Sequence, residues 1–404
     1  MGDAMDTDAI IVGGGLSGPL TALALADAGL RVLVLDAAPR PAPRAFDGRA
    51  YALSLASVRM LRRLGLWDDV ADAQPIRGIR ASDGRVGEGA SSLHLRFDAA
   101  MIGARSMGHM VEDRHLRLAL AEACAASDAI ETRYETNVVD QSVQAGRATV
   151  TTAAGDAPSA PLLVGCDGRG SGVAGRAGLR RVRKTYGQTS LTCAVAHADD
   201  HRGIAHQLFL PAGPLAILPL TGNRSSLVWT EDADTAAAID ALDPAAYLDV
   251  LRPRFGSFLG EIDLVGARGT YPLDLTLAQD LVADRVALAG DAAHGIHPIA
   301  GQGLNLGFKD VAALADVVAA ARRRGEDHGG APVLARYARW RRFDAAQMGA
   351  ATDAVNALFS NDDPILRAAR RLGMGAVDAM PGLKRRFIRE AAGLTGDLPD
   401  LMRG

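Results

Sequence analysis

Two glycine clusters far apart in the chain limit its fold most strongly. The first, Gly13-Gly14-Gly15-Leu16-Ser17-Gly18, follows an apolar run over 9–12 and opens an apolar stretch over 20–28. A second apolar run, 31–35, ends at Asp36. Strand, glycine turn, helix and strand in that order make a βαβ unit with the Gly-x-Gly-x-x-Gly dinucleotide fingerprint. Gly13 permits the tight turn, Gly15 lets the backbone approach a pyrophosphate, and Gly18 lets helix and strand pack closely. Leu16 and Ser17 lie at the helix start, whose N–H groups and partial positive charge suit phosphate. Asp36 is placed to accept hydrogen bonds from ribose hydroxyls.

The second cluster is Gly290-Asp291-Ala292-Ala293-His294, continuing through His297-Pro298-Ile299-Ala300-Gly301-Gln302-Gly303-Leu304-Asn305. A buried strand over 285–289 delivers Asp291 beside a helix that starts near Gly303, where its carboxylate suits a ribityl hydroxyl. Gly301, Gln302 and Gly303, followed by Leu304 and Asn305, present backbone N–H groups to a ring edge that turns negative on reduction. Either cluster alone indicates a nucleotide; together they predict FAD. His294-x-x-His297 lacks a third ligand at metal spacing and is stiffened by Pro298, so no metal is expected. These histidines, with the sequence-distant His206, are read as lining a ring face or as hydrogen-bonded structural groups.

The 404 residues suffice for two packed domains. A formal net charge of -3 and 4% aromatic residues argue against a nucleic-acid partner. Cys124, Cys166 and Cys193 have neither pair nor metal spacing and read as reduced thiols. The first residues carry Asp3, Asp6 and Asp8 instead of a basic leader, and no apolar run approaches the ~20 residues of a membrane span. The expectation is a cytoplasmic chain, soluble or peripheral on the inner membrane face. There is no nucleophile elbow, Walker loop, paired-cysteine motif or second complete glycine fingerprint, so the flavin itself must be the reactive group.

Helices are expected over 54–64 and 111–126, and strands over 129–139, 148–152 and 162–165. Between 187 and 276 short strands predominate (189–196, 205–210, 215–220, 225–229), with Thr221-Gly222-Asn223-Arg224 as a hairpin-like turn. The expected fold class is α/β. It comprises a Rossmann-type FAD-binding domain (1–75, 100–186 and 277–330), an inserted, mostly antiparallel β-sheet substrate domain (76–99 and 187–276) and a helical C-terminal region (331–404).

Three motifs in order, Gly13 to Gly18, Cys166-Asp167-Gly168 with Ser171, and Gly290-Asp291, resemble those of the group A flavoprotein monooxygenases, which share a p-hydroxybenzoate hydroxylase-like fold. Within that group the chain looks most like the ubiquinone-biosynthesis hydroxylases. The resemblance is carried by Asp47-Gly48-Arg49-Ala50-Tyr51-Ala52-Leu53-Ser54 and by Gly213-Pro214-Leu215-Ala216-Ile217-Leu218-Pro219-Leu220. The run His297 to Gly307 and the tail Leu358-Phe359-Ser360-Asn361-Asp362 also carry it. It spans nearly the whole chain. Departures are Asp36 where relatives usually have Glu, Ala174 where Arg is common (with Arg176 nearby), and Asp113 where the family offers an amide or Arg. Arg114 is adjacent and could take that role.

The resemblance implies that NAD(P)H or another external donor reduces FAD, that O2 then gives a flavin C4a-hydroperoxide, and that this hydroxylates a phenol ring. It implies a polyprenylated phenol as substrate, and other ubiquinone-biosynthesis proteins as partners. Arg49, His297 and Pro298 would stand at the reacting face, and Asp167 would join the cofactor-binding set. Leu208, Leu210, Ile217, Leu218 and Trp229 are candidates for an apolar wall that keeps water out. Two alternatives stay open: a hydroxylase of a small soluble aromatic compound, and an FAD-dependent dehydrogenase or prenyl reductase. The basic tail (Arg367, Arg370, Arg371, Lys384, Arg385, Arg386, Arg389) reads either as a solvated helical face or as a membrane-touching surface.

Overall fold

A computed structural model describes residues 7–87, 89–90, 94–296, 301–360 and 363–404. Its nucleotide-binding half is built on a six-stranded sheet. The strand order is Val282–Ala283, Val286–Leu288, Leu162–Gly165, Ala9–Val12, Val32–Leu35, Ile130–Arg133. All neighbours are parallel except the first pair. Four of these strands, 9–12, 32–35, 162–165 and 286–288, are buried at every residue. That is expected for a parallel sheet covered on both faces.

The register decides where the motifs meet. Val12 pairs with Gly165 and with Leu35, and Gly165 pairs with Leu288. Gly13, Cys166-Asp167, Asp36 and Ala289-Gly290 therefore leave the sheet at one level, at the carboxyl ends of parallel strands. That edge is where ligands bind in open α/β sheets.

The second half is a nine-stranded sheet. Eight strands run in the order His294–Gly295, Ile262–Ala278, Arg181–His197, Arg224–Asp232, Gly213–Leu220, Ile204–Leu210, Gly78–Arg85, Gly89–Ala90, and Leu95–Asp98 pairs with 78–85. Pairing is antiparallel except between 204–210 and 78–85. The strands 181–197 and 262–278 are each 17 residues long and run paired with each other along this sheet. The expected domain boundaries near 186 and 276 thus fall inside continuous strands.

Two helices were not foreseen within the sheet segment: Ala233–Asp240 and Pro244–Phe255. Pro244 reads as punctuation in the sequence, yet it occupies the first turn of its helix. Asp243 caps that helix by accepting from the N–H groups of Ala245 and Ala246 at 2.9 and 3.0 Å. Their buried side chains Ala236, Ile239, Tyr247, Leu251 and Phe255 pack on one face of the sheet. The expected strand 129–139 is also broken. Ile130–Arg133 stays in the parallel sheet, Glu135 turns with φ 53°, and Val138–Gln144 joins a separate three-stranded sheet.

The C-terminal region holds the helices Ala331–Phe359, Pro364–Asp378 and Pro381–Ala391. Its basic residues are largely occupied inside the fold. Arg367, Arg370 and Arg371 all bond to the buried carboxylate of Asp83, at 3.1, 2.9 and 3.1 Å. Lys384 pairs with Asp378 at 2.8 Å. Of the seven, only Arg385, Arg386 and Arg389 remain exposed without a carboxylate partner among the described ion pairs.

Candidate active site

The two glycine clusters are in direct contact. Gly290 has φ +66°, and a Cβ there would stand 2.5 Å from Ser17 Oγ. A Cβ on Gly307 would lie 2.9 Å from Gly290 Cα. A Cβ on Gly13 would sit 2.5 Å from the Cys166 carbonyl oxygen, so the mid-chain motif backs the fingerprint. A Cβ on Gly14 would overlap the Asp36 carboxylate, and one on Gly18 would overlap the Gly13 carbonyl. Gly15 differs: nothing lies within 4 Å of its Cβ direction. The helix Ser17–Asp27 behind it has no side-chain cap at its start. Open backbone, uncapped N–H groups and an adjacent carboxylate make a cradle that fits a dinucleotide pyrophosphate and ribose.

At the other end, Gly301 has φ +60° and lies against Ala52, with the helix Gly303–Arg323 starting just beyond it. Gln302 supplies no cap; its side chain donates to the Ala391 carbonyl at 3.4 Å. Leu304 packs on the main core. The side chain of Asn305 is fully engaged within the protein. It accepts from the Ser54 N–H and the Ser57 hydroxyl, both at 2.8 Å, and donates to the carbonyls of Ala52 and Gly301 at 2.8 and 3.1 Å. Asn305 thus pins the strand Ala50–Ser54 against the helix start and leaves only its backbone for a ligand. His297 and Pro298 lie outside the described residues.

Asp291 is about half exposed and accepts from Arg169 at 3.4 Å. Asp167 is turned inward: it accepts from Ser171 Oγ at 2.5 Å and from the Val173 N–H at 3.0 Å. Its carboxylate closes the short helix Gly172–Arg176. Arg176 bonds to Gln141 at 3.4 Å.

Arg49 and Arg114 fall in one charged cluster. Arg49 bonds to Asp47 at 2.7 and 3.0 Å and stands 3.9 Å from Asp113. Arg114 bonds to Glu112 at 2.7 Å and to the Arg44 carbonyl at 3.1 Å. Asp113 is fully buried. It accepts from Tyr51 at 2.9 Å and from Arg117 at 2.8 Å, and pairs closely with Arg44. Arg224 reaches Glu112 at 3.0 Å. Burial, reinforced by the Asp113 charge, pushes the Tyr51 phenol well above its ordinary pKa. Five arginines surround three carboxylates, which leaves a formal excess of two positive charges. Such a field suits a phosphate-bearing cofactor. Sequence reasoning missed Arg44, Arg117 and Tyr51, because nothing local marks residues that meet only through a buried carboxylate.

The expected apolar wall is corrected by strand parity. Leu208, Leu210, Ile217 and Trp229 point to the sheet face covered by 233–240 and 244–255, and form a closed core there. Leu218 lies on the opposite face. With Leu220 and Ala194 it joins a second cluster containing Phe46, Ala50, Ala52, Met101, Met110 and Ile388. Ala52 is the residue that Gly301 approaches, so this cluster abuts the second glycine turn.

His206 is corrected likewise. It is on the strand 204–210, while His294 is on 294–295, five strand spacings away in the same sheet, or roughly 24 Å. His206 packs on Phe258 with ring centroids 4.4 Å apart.

Two predictions follow from this geometry. An alanine at Gly290 must adopt a left-handed conformation, at a cost of about 1–2 kcal/mol, and crowds Ser17 besides. Gly290→Ala should lower the urea midpoint and weaken FAD binding about tenfold, measured by fluorescence titration. Adding Ser17→Ala should recover only part of the loss. Full recovery would show that the φ requirement is unimportant. For His206, burial with help from Arg80 and His94 depresses the pKa to about 4. The unfolded chain, titrating near pH 6.5, takes up the proton first, so stability falls as the pH drops from there toward 4. NMR of the ring protons should titrate near pH 4, and His206→Phe should flatten the urea midpoint across that window.

Comparison with known proteins agrees with this site. The FAD binding domain family matches residues 6–352. The chain is 44% identical to the ubiquinone hydroxylase UbiL of Rhodospirillum rubrum, covering 98% of this chain and 92% of that protein. It is 36% identical to the 3-demethoxyubiquinol 3-hydroxylase of Escherichia coli, covering 96% and 99%. Among solved structures, p-nitrophenol 4-monooxygenase PnpA from Pseudomonas putida superposes with a TM-score of 0.80 at 23% identity, over 96% of this chain and 98% of that one. The motifs at one sheet edge, the contact between the two glycine clusters and these likenesses agree: the chain belongs to the FAD binding domain family and, within it, to the FAD-dependent hydroxylases of ubiquinone biosynthesis.

Proposed function

We propose that this chain hydroxylates the aromatic ring of a polyprenylated phenol, using O2 and electrons from NAD(P)H or another external donor. The supporting observation is the apolar cluster of Phe46, Ala50, Ala52, Met101, Met110 and Leu218 beside Gly301. The side chains of that cluster are apolar, which suits the contact that a prenylated ring needs. Bound FAD supplies the electron transfer and oxygen activation. The chain's residues bind, orient and exclude water. Gly13 to Gly18, Asp36, Arg44 and Arg114 serve the nucleotide end. Asp291 and the N–H groups from Gly301 to Asn305 serve the ribityl and ring end, with Arg49, His297 and Pro298 at the reacting face. The apolar cluster keeps water from the reacting atoms.

The purified protein should show flavin absorbance. A short-chain polyprenylphenol should stimulate its donor-dependent O2 consumption at least about tenfold over hydroxybenzoate, a selectivity within reach of a few buried methylenes. Deleting the gene should accumulate a precursor that lacks one ring hydroxyl. Equal stimulation by hydroxybenzoate would instead favour a soluble aromatic substrate.

A peripheral membrane contact is the further part of this reading. Among the described residues no helix is long and apolar enough to cross a membrane. Arg385, Arg386 and Arg389 surround Phe387, which is 44% exposed, on the helix Pro381–Ala391. Such a face suits an anionic surface. Vesicles containing anionic lipid should pull down the protein, and Arg385→Glu with Phe387→Ser should release it. Unchanged co-sedimentation of that variant would remove this part of the reading.

A further inference from the structure

Beneath the Gly290 turn lies a polar node that the chemistry above does not use. Asp310 is fully buried, seven residues into the helix Gly303–Arg323. One of its carboxylate oxygens accepts from the Gly290 N–H at 3.1 Å and from His294 Nε2 at 2.5 Å. The other accepts from Arg341 Nε at 2.8 Å. Arg341, also fully buried, belongs to the helix Ala331–Phe359, and its Nη1 continues to Asp344 at 2.5 Å. Asp344 is held in turn by Lys309 at 2.5 Å. One helical turn before Arg341, the buried Tyr337 donates to the Leu288 carbonyl at 2.7 Å, on the strand that leads into the Gly290 turn.

Burial alone would push the Asp310 pKa up. The charges of His294 and Arg341 outweigh it and hold the carboxyl below its usual range. A buried ion pair adds little net stability compared with apolar side chains of the same shape. What Asp310 does supply is direction: its oxygens fix a backbone N–H, an imidazole and a guanidinium from three separate segments. His294 pairs with Leu277 on the strand 262–278, so the node also reaches the antiparallel sheet.

We propose that Arg341, acting through Asp310, and Tyr337, acting through the Leu288 carbonyl, are positioning residues for FAD. They set the Gly290–Asp291 turn from the C-terminal helix, so docking of that helix and FAD binding are coupled in both directions. The inference rests on FAD as the family's cofactor and not on the phenol substrate, and its test uses no substrate.

The experiment compares FAD binding to the apoprotein by fluorescence titration, with hydrogen exchange of residues 331–344 measured with and without FAD. In the parent, FAD should slow exchange over 331–344. Arg341→Met should raise the FAD Kd at least about fivefold, the lower end of ordinary coupling; Arg341→Lys should recover part of the loss. Arg342→Met, which removes only an exposed pair with Asp280, should leave the Kd unchanged. If Arg341→Met does not fold, Asp310→Leu with Arg341→Met replaces the ion pair by apolar volume and carries the same expectation. Either exchange in the parent that is indifferent to FAD, or a folded variant whose Kd changes by less than about fivefold, overturns the proposal.

Discussion

The close approach of Gly290 to Ser17 and Gly307 is the constraint on which the rest of the site depends. It joins two motifs 273 residues apart and leaves no room for a side chain on Gly290, where a Cβ would stand 2.5 Å from Ser17 Oγ. The approach is possible because three parallel strands end in register, at Val12, Gly165 and Leu288. One strand lies between 9–12 and 286–288, and its exit, Cys166, supports Gly13 from behind. The cofactor cradle is therefore a property of sheet register. Shifting any one strand by a residue would separate the motifs and turn that strand's side chains to the other face of the sheet.

Much of this was legible in the sequence, because the signals were local. Strand, glycine turn and helix recur in the required order around Gly13 and Gly290, and apolar runs mark strands buried on both faces. What was not legible depends on which way a face turns. The strands 204–210 and 213–220 offer hydrophobic residues at both parities, so Leu208 and Leu218 look alike until the helices 233–240 and 244–255 cover one face. Those helices escaped notice because Pro244 reads as a breaker, although it stands in the first turn of its helix. His206 seemed to belong with His294 and His297 only because histidines are few; the sheet order sets it apart from His294.

The charged residues show the same limit more sharply. Asp113 and Asp83 are each buried among several arginines, and Asp310 is buried between Arg341 and His294, mostly from segments distant in sequence. In the sequence these are ordinary acidic and basic residues, and the tail arginines looked like a surface. Their partners are set by tertiary structure alone. Asn305 is the intermediate case. Its motif was recognised, but its amide bonds Ser54, Ser57, Ala52 and Gly301, and so assembles the site from within.

Two of these buried carboxylates hold the C-terminal region. Asp83, on a strand of the antiparallel sheet, gathers Arg367, Arg370 and Arg371, while Phe359 stacks on Phe209 beside them at 3.9 Å. Asp310, beneath the cofactor turn, takes Arg341. Apolar contacts would hold the same helices but would tolerate sliding, since hydrophobic burial has no direction. Charged hydrogen bonds to a carboxylate lose most of their energy when displaced by an ångström. The C-terminal helices are thus located relative to both the cofactor turn and the sheet. Gly301 meets the apolar cluster through Ala52, so helices that fix both parts also fix the spacing between the Gly290 turn and that cluster.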